Sequence, residues 1–163
     1  MRILFWRREP EKKVRDPYGI RVGTQEVLNR IKRELYPIIR EGLVERRKKT
    51  DPYNEMVVAE SESTFTRVEE LVEEIEKEMR KLTGMRDYIV ILRLGLTTPL
   101  RDRIEELKEN LMKLKILAPS ITEWEKRVND VISELTGLVD ELEAYCRKEE
   151  KQESERLRGG MIY

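Results

Sequence analysis

Residues 98–146, TPLRDRIEELKENLMKLKILAPSITEWEKRVNDVISELTGLVDELEAYC, decide the fold. Leu100, Ile104, Leu107, Leu111 and Leu114 recur at alternating intervals of four and three, which lays one narrow apolar seam along a helix for a partner helix to read. Pro119 stops that helix. Ser120 to Glu123 reads as a reciprocal cap, the Ser hydroxyl accepting from an orphan N–H while Glu123 reaches back, so a second helix starts at once. Trp124, Val128, Val131, Ile132, Leu135, Leu138, Val139, Leu142 and Tyr145 then share one face at about 3.6 residues per turn. Two helices joined by so short a link pack as an antiparallel hairpin.

Upstream, the same periodicity continues. Val68, Leu71, Val72, Ile75, Met79 and Leu82 form one stripe opposite a Glu-rich face, on a helix that Asp51-Pro52 starts with an N-cap and a first-turn proline. Ser61 to Thr66 is a weak point in it, and Thr83-Gly84 ends or bends it. Tyr88 to Leu96 is the most apolar segment, β-branched in its middle; a lone strand would have no partner, so it reads as a buried helical turn, with a short strand as the alternative. Ahead of these, Thr24 caps a first helix whose face is Val27, Leu28, Ile31, Leu35 and Ile38, running to about Lys49. Pro37, which removes a backbone donor, is expected to bend it or split it in two. Residues 9–23 hold Pro10, Pro17, Gly19 and Gly23 and read as an extended linker. Downstream, Arg147 to Arg158 extend the last helix as a polar tail that Gly159-Gly160 ends, with Met161-Ile162-Tyr163 as an apolar tag.

The expected fold is therefore all-α: elongated antiparallel hairpins approaching a four-helix bundle. Residues 1–23 form an N-terminal arm and linker, 24–146 the helical domain, and 147–163 the charged extension and tag. At 163 residues the chain suits one domain. Charged residues make up 40% and aromatics 6%, which favours long solvated helices with thin stripes over a thick core. Abundant Glu, Arg and Lys also suits a heat-adapted source with surface ion-pair networks.

Formal charge is zero, but it is polarised. Residues 1–50 hold 15 Lys+Arg against 7 Asp+Glu, and the remaining 113 hold 18 against 26. A basic head on an acidic body either meets phosphates of lipid or nucleic acid, meets the acidic half of a neighbouring copy, or neutralises its own. Within it, Arg46, Arg47, Lys48 and Lys49 are a candidate basic patch, although a helix C-terminus also favours cations. Ile3, Leu4, Phe5, Trp6, Arg7 and Arg8 set aromatic residues beside cations, the composition of a segment at an anionic headgroup boundary. The competing reading makes Ile3, Phe5 and Trp6 a strap over the bundle core.

Chemistry has little to work with. With no histidine, the commonest general base, the Ser-His and Cys-His dyads and the usual zinc and di-iron ligand sets are missing. Cys146, the one cysteine, falls on the apolar face as a structural thiol and cannot form a disulfide within one chain. Acidic pairs such as Glu73-Glu74 and Glu105-Glu106 point in different directions round a helix, and no glycine-rich loop cradles phosphate. No catalytic, metal or cofactor site is expected. No apolar run is long enough to span a membrane, so the expectation is a cytoplasmic protein, peripheral to a membrane at most.

Taken together, these parts resemble the ESCRT-III family, in particular its archaeal cell-division members. The basic first helix is followed by Asp51-Pro52 and Ala59-Glu60, similar to the family's start of helix two. Leu92-Arg93-Leu94-Gly95 with Pro99-Leu100 resembles the segment leading out of that helix. Leu117-Ala118-Pro119, then Val128-Asn129 and Leu135, is similar to the family's proline turn and the acidic helix after it. The resemblance covers about residues 24–142. Val58 stands where the family has an aromatic, and no proline-rich tail of the kind that recruits the family's ATPase follows. The resemblance implies self-assembly into curved filaments on membranes, the basic half facing lipid and the acidic C-terminal region closing over it. Two other readings stay open: another helical assembly subunit, as in a virion or sheath, and a nucleic-acid-binding module using Arg46 to Lys49.

Overall fold

A computed structural model describes residues 16–161. Among them the chain is all-α, with no strand. The helices are α1 (Ile20–Arg30), continued through a π-helical turn (Ile31–Leu35) into α2 (Tyr36–Arg47), then α3 (Pro52–Thr83), the short α4 (Ile89–Arg93), α5 (Thr98–Lys113) and α6 (Ile121–Met161). The α1–α2 rod, α3, α5 and α6 run up, down, up and down. Each packs against the next, and α6 closes the ring on α1.

The first helix begins earlier than its sequence implies, because the breakers are used to build its start. Pro17–Gly19 form a 3-10 turn in which Tyr18 and Gly19 take the left-handed conformation (φ 57° and 65°). That turn brings the Asp16 carboxylate back over the helix entrance, where it accepts from the N–H groups of Arg21 (2.6 Å) and Val22 (3.2 Å). Asp16 therefore does the capping expected of Thr24. Thr24 lies buried inside the helix, its hydroxyl donating to the Ile20 carbonyl. The linker reading of residues 9–23 thus fails from Pro17 onward; residues 1–15 lie outside the described part of the chain.

Pro37 neither splits nor stops the rod. The preceding turn widens so that the Tyr36 N–H donates to the carbonyl of Ile31, five residues back. This relieves the clash of a proline ring with the carbonyl four residues before it. The weak point at Ser61 to Thr66 also stays helical. Thr64 and Thr66 donate their hydroxyls to the carbonyls of Glu60 (2.9 Å) and Glu62 (3.0 Å), inside an unbroken α3.

The α2–α3 turn is held by one residue at its centre. Asp51 caps α3 as expected, its Oδ1 accepting from the Asn54 N–H at 2.8 Å. Asn54 is itself buried, and its amide donates to the carbonyls of Lys49 (2.9 Å) and Arg46 at the end of α2. One side chain so joins the two ends. Tyr88 to Leu96 holds the helical turn α4, but only Ile91 is buried on it, and Leu94 is 68% exposed.

The 98–146 hairpin forms as the spacing demands. Leu100, Ile104, Leu107, Leu111 and Leu114 are all buried, facing Trp124, Val128, Val131, Leu135 and Leu142; Leu138 is half-buried. The Trp124 indole N–H donates to the Leu111 carbonyl at 2.7 Å, pinning the two arms together. The reciprocal cap at Ser120 is only half made. Its hydroxyl accepts from the Glu123 N–H (3.3 Å), while the Glu123 carboxylate turns to Arg127 (3.2 Å). Gly159-Gly160 does not end α6, which runs on to Met161. From Arg147 to Gly159 no side chain is buried, so about 20 Å of helix carries a solvated surface. Ile162 and Tyr163 of the expected tag lie outside the described residues.

Candidate functional site

The seam is spent inside the chain. Every helix–helix junction of the ring is closed by apolar contacts and stapled by ion pairs. Arg30 pairs with Glu134 between α1 and α6, and Lys32 meets Glu73 across from α3. Arg67 grips Glu106 through two nitrogens (2.5 and 2.9 Å) between α3 and α5. Arg101 reaches Asp140 (2.5 Å) and Glu143 (2.8 Å) between α5 and α6. Part of the basic head thus neutralises the acidic body of the same molecule. These guanidinium contacts hold the carboxyls of Glu106, Glu134 and Glu143 below the usual carboxylate range.

The thiol of Cys146 is fully buried, and burial pushes it up to about 11. It is therefore protonated and a poor nucleophile near neutral pH. Among the described residues no group of three or more potential ligands could hold a metal ion. No described helix is long and apolar enough to cross a membrane.

The basic patch sits at the end of the bundle where α2 stops, α3 and α6 start, and the 3-10 turn Leu114–Leu117 leaves α5. Three of its four residues are engaged. Arg46 donates to the Ile116 carbonyl (3.2 Å) and the Asn54 amide oxygen (3.4 Å), Arg47 pairs with Glu62 (2.8 Å), and Lys48 with Glu45 (2.9 Å). Lys49 is exposed and lines an open groove of about 340 Å³ with Ile38, Gly42, Leu117 and Pro119, and with the carboxylates of Glu41 and Glu45. Lys113 and Lys115, at the end of α5 and in the 3-10 turn after it, are also exposed. The same end carries Val44, Tyr53, Met56, Ile116 and Ile121, all exposed apolar side chains that periodicity did not single out. They fall at turns and helix ends, where no repeat betrays them.

Gly42 shapes this end. A Cβ there would lie 2.4 Å from the Leu117 carbonyl oxygen and 2.6 Å from the Leu117 Cβ, so α2 approaches the 3-10 turn only because that side chain is missing. The candidate membrane-contact residues Ile3, Leu4, Phe5, Trp6, Arg7 and Arg8 lie outside the described residues. No known family model, no curated protein and no solved structure matches this chain.

Proposed function

We propose that this protein is a non-catalytic helical subunit that assembles with copies of itself at an anionic membrane surface. One observation carries the reading: a single end of the bundle joins Lys49, Lys113 and Lys115 to five exposed apolar side chains. Cations set among apolar groups suit a headgroup boundary, where apolar area enters the interface and the cations attract acidic lipid. The sequence of residues 2–8, with Phe5 and Trp6 among three arginines, supplies a second element of the same chemistry. Two weak contacts on one molecule, multiplied over many copies, give avidity that neither has alone. The resemblance to ESCRT-III supports the assembly part of the reading. With the seam spent internally, contacts between copies fall to the exposed end, to the solvated α6 extension and to residues 1–15.

The pairing of Arg46, Arg47 and Lys48 within the chain weighs against a polynucleotide as the main partner, since phosphate binding draws on free cations. Flotation with vesicles of anionic and of neutral lipid, with and without residues 1–8, tests the proposal. Binding to anionic vesicles alone, weakened by truncation, is expected. Trp6→Glu is expected to abolish that binding with helicity unchanged. Absence of flotation together with steeply salt-dependent binding to DNA would overturn the membrane reading, and a monomer at all concentrations would overturn assembly.

A further inference from the structure

The seam of α6 does not stop where the bundle does. Leu135, Val139, Leu142 and Cys146 are buried on it at alternating intervals of four and three. The same alternation carries on to Glu150, Glu153 and Leu157, so these three share the seam's face on the solvated extension. Leu157 is 62% exposed there, about 16 Å beyond Cys146. Among the described residues Glu150 makes no ion pair, and Glu153 pairs only with the exposed Arg156, at 2.7 Å.

The opposite end of the molecule offers a matching surface. The groove of about 340 Å³ has an apolar floor at Gly42, Leu117 and Pro119, and α2 lines it with Glu41 and Arg46. Glu41 is exposed and makes no ion pair among the described residues. α2 ends at Arg47, and Lys49 follows in a turn whose N–H donates to the Arg46 carbonyl at 3.1 Å. Two α-helices share one rise per residue. Laid antiparallel on α2 with Leu157 over Gly42, the extension therefore sets Glu153 level with Arg46, Arg158 level with Glu41, and Glu150 beside the turn that carries Lys49. Each of these three levels joins opposite charges. A slip of one turn deeper would set Glu150 against Glu45 instead, so the charges fix the register.

We infer that this groove receives the α6 extension of a second copy of the chain. The molecule's own extension cannot fill it. α6 is one helix from Ile121 to Met161, and it leaves the bundle at Cys146, about 37 Å from the end where the groove lies. The contact joins two different surfaces, so each added copy presents the same pair again and the association is open-ended. The inference rests on the reading that copies assemble, and it names the surfaces by which they do so. Lys113 and Lys115 take no part in the contact and stay available to lipid.

Sedimentation velocity of the full chain over a range of concentrations, in low salt, tests it. The wild type should self-associate, and Leu157→Asp and Glu150→Lys should each weaken that association at least about tenfold with helicity by circular dichroism unchanged. Lys49→Glu should weaken it as well. Glu150→Lys and Lys49→Glu combined in one chain should recover most of the loss, as a direct pair requires. Self-association that none of these substitutions changes would overturn the inference and leave assembly through another surface standing. A chain that stays monomeric at every concentration would overturn both readings.

Discussion

The middle of the bundle and its basic end draw on the same alphabet of leucine, isoleucine, lysine and glutamate, yet they are finished differently. In the middle, each apolar side chain meets another and each interhelical cation meets a carboxylate. At the end, Val44, Met56, Ile116 and Ile121 face solvent beside Lys49. The contrast separates two tasks. A region whose contacts are satisfied internally holds the fold, whereas the mixed apolar and cationic surface at the end is where the proposed contacts with a partner would form.

The sharpest way to break the comparison is to damage the middle. Leu107→Asp puts a carboxylate without a partner into a fully buried seam. It should cost more than about 4 kcal/mol, enough to abolish cooperative unfolding by circular dichroism. Next comes Gly42→Ala, whose new methyl collides with backbone at Leu117; overpacking of this kind costs about 1–3 kcal/mol in chemical denaturation. Asn54→Ala should fall in a similar range, because it strips the Lys49 and Arg46 carbonyls of their shared donor.

Acid should act more gently. The carboxyls of Glu106, Glu134 and Glu143 are held below their unfolded values by Arg67, Arg30 and Arg101. Their contribution is complete above the unfolded carboxylate value of about 4.3. It disappears as pH falls through the lower folded values. The melting temperature should therefore drop in acid below about pH 4, and less steeply in Arg101→Met. The pairs are partly exposed, and solvent screening holds each to about 1 kcal/mol or less. At the small end, Gly137→Ala should raise stability by about 0.5–1 kcal/mol, because a Cβ there would meet nothing within 4 Å and only the helix propensity difference remains. Gly42 and Gly137 so differ in sign because of what stands opposite each Cα.

How far the sequence foretells this molecule follows from how local each cause is. The hairpin seam was legible because its spacing repeats over many turns, and the Asp51 cap because its partner lies three residues on. Asp16 was not. Its role depends on a left-handed Tyr18 and Gly19, which made the same residues look like a linker. Gly42 and Asn54 were equally hidden, since Leu117 and the end of α2 reach them only through space. The π-helical turn before Pro37 shows the same limit: a proline announces a lost donor, but the neighbouring turn decides how the loss is absorbed. Of the candidate site, the basic run was visible as a string of cations. Its internal pairing with Asn54, Glu62 and Glu45 depended on the folded arrangement, as did the apolar residues around it.

The central claim is that the ring of helices stays shut while its basic end and N-terminal segment make the contacts. Hydrogen exchange on the full chain, free and with anionic vesicles, tests this most directly. The account predicts slower exchange on vesicles at 1–15, 44–56 and 113–123, with the amides of Leu107, Leu111 and Leu135 as protected as in the free protein. Faster exchange along that seam on binding, or no change anywhere in the chain, would contradict it.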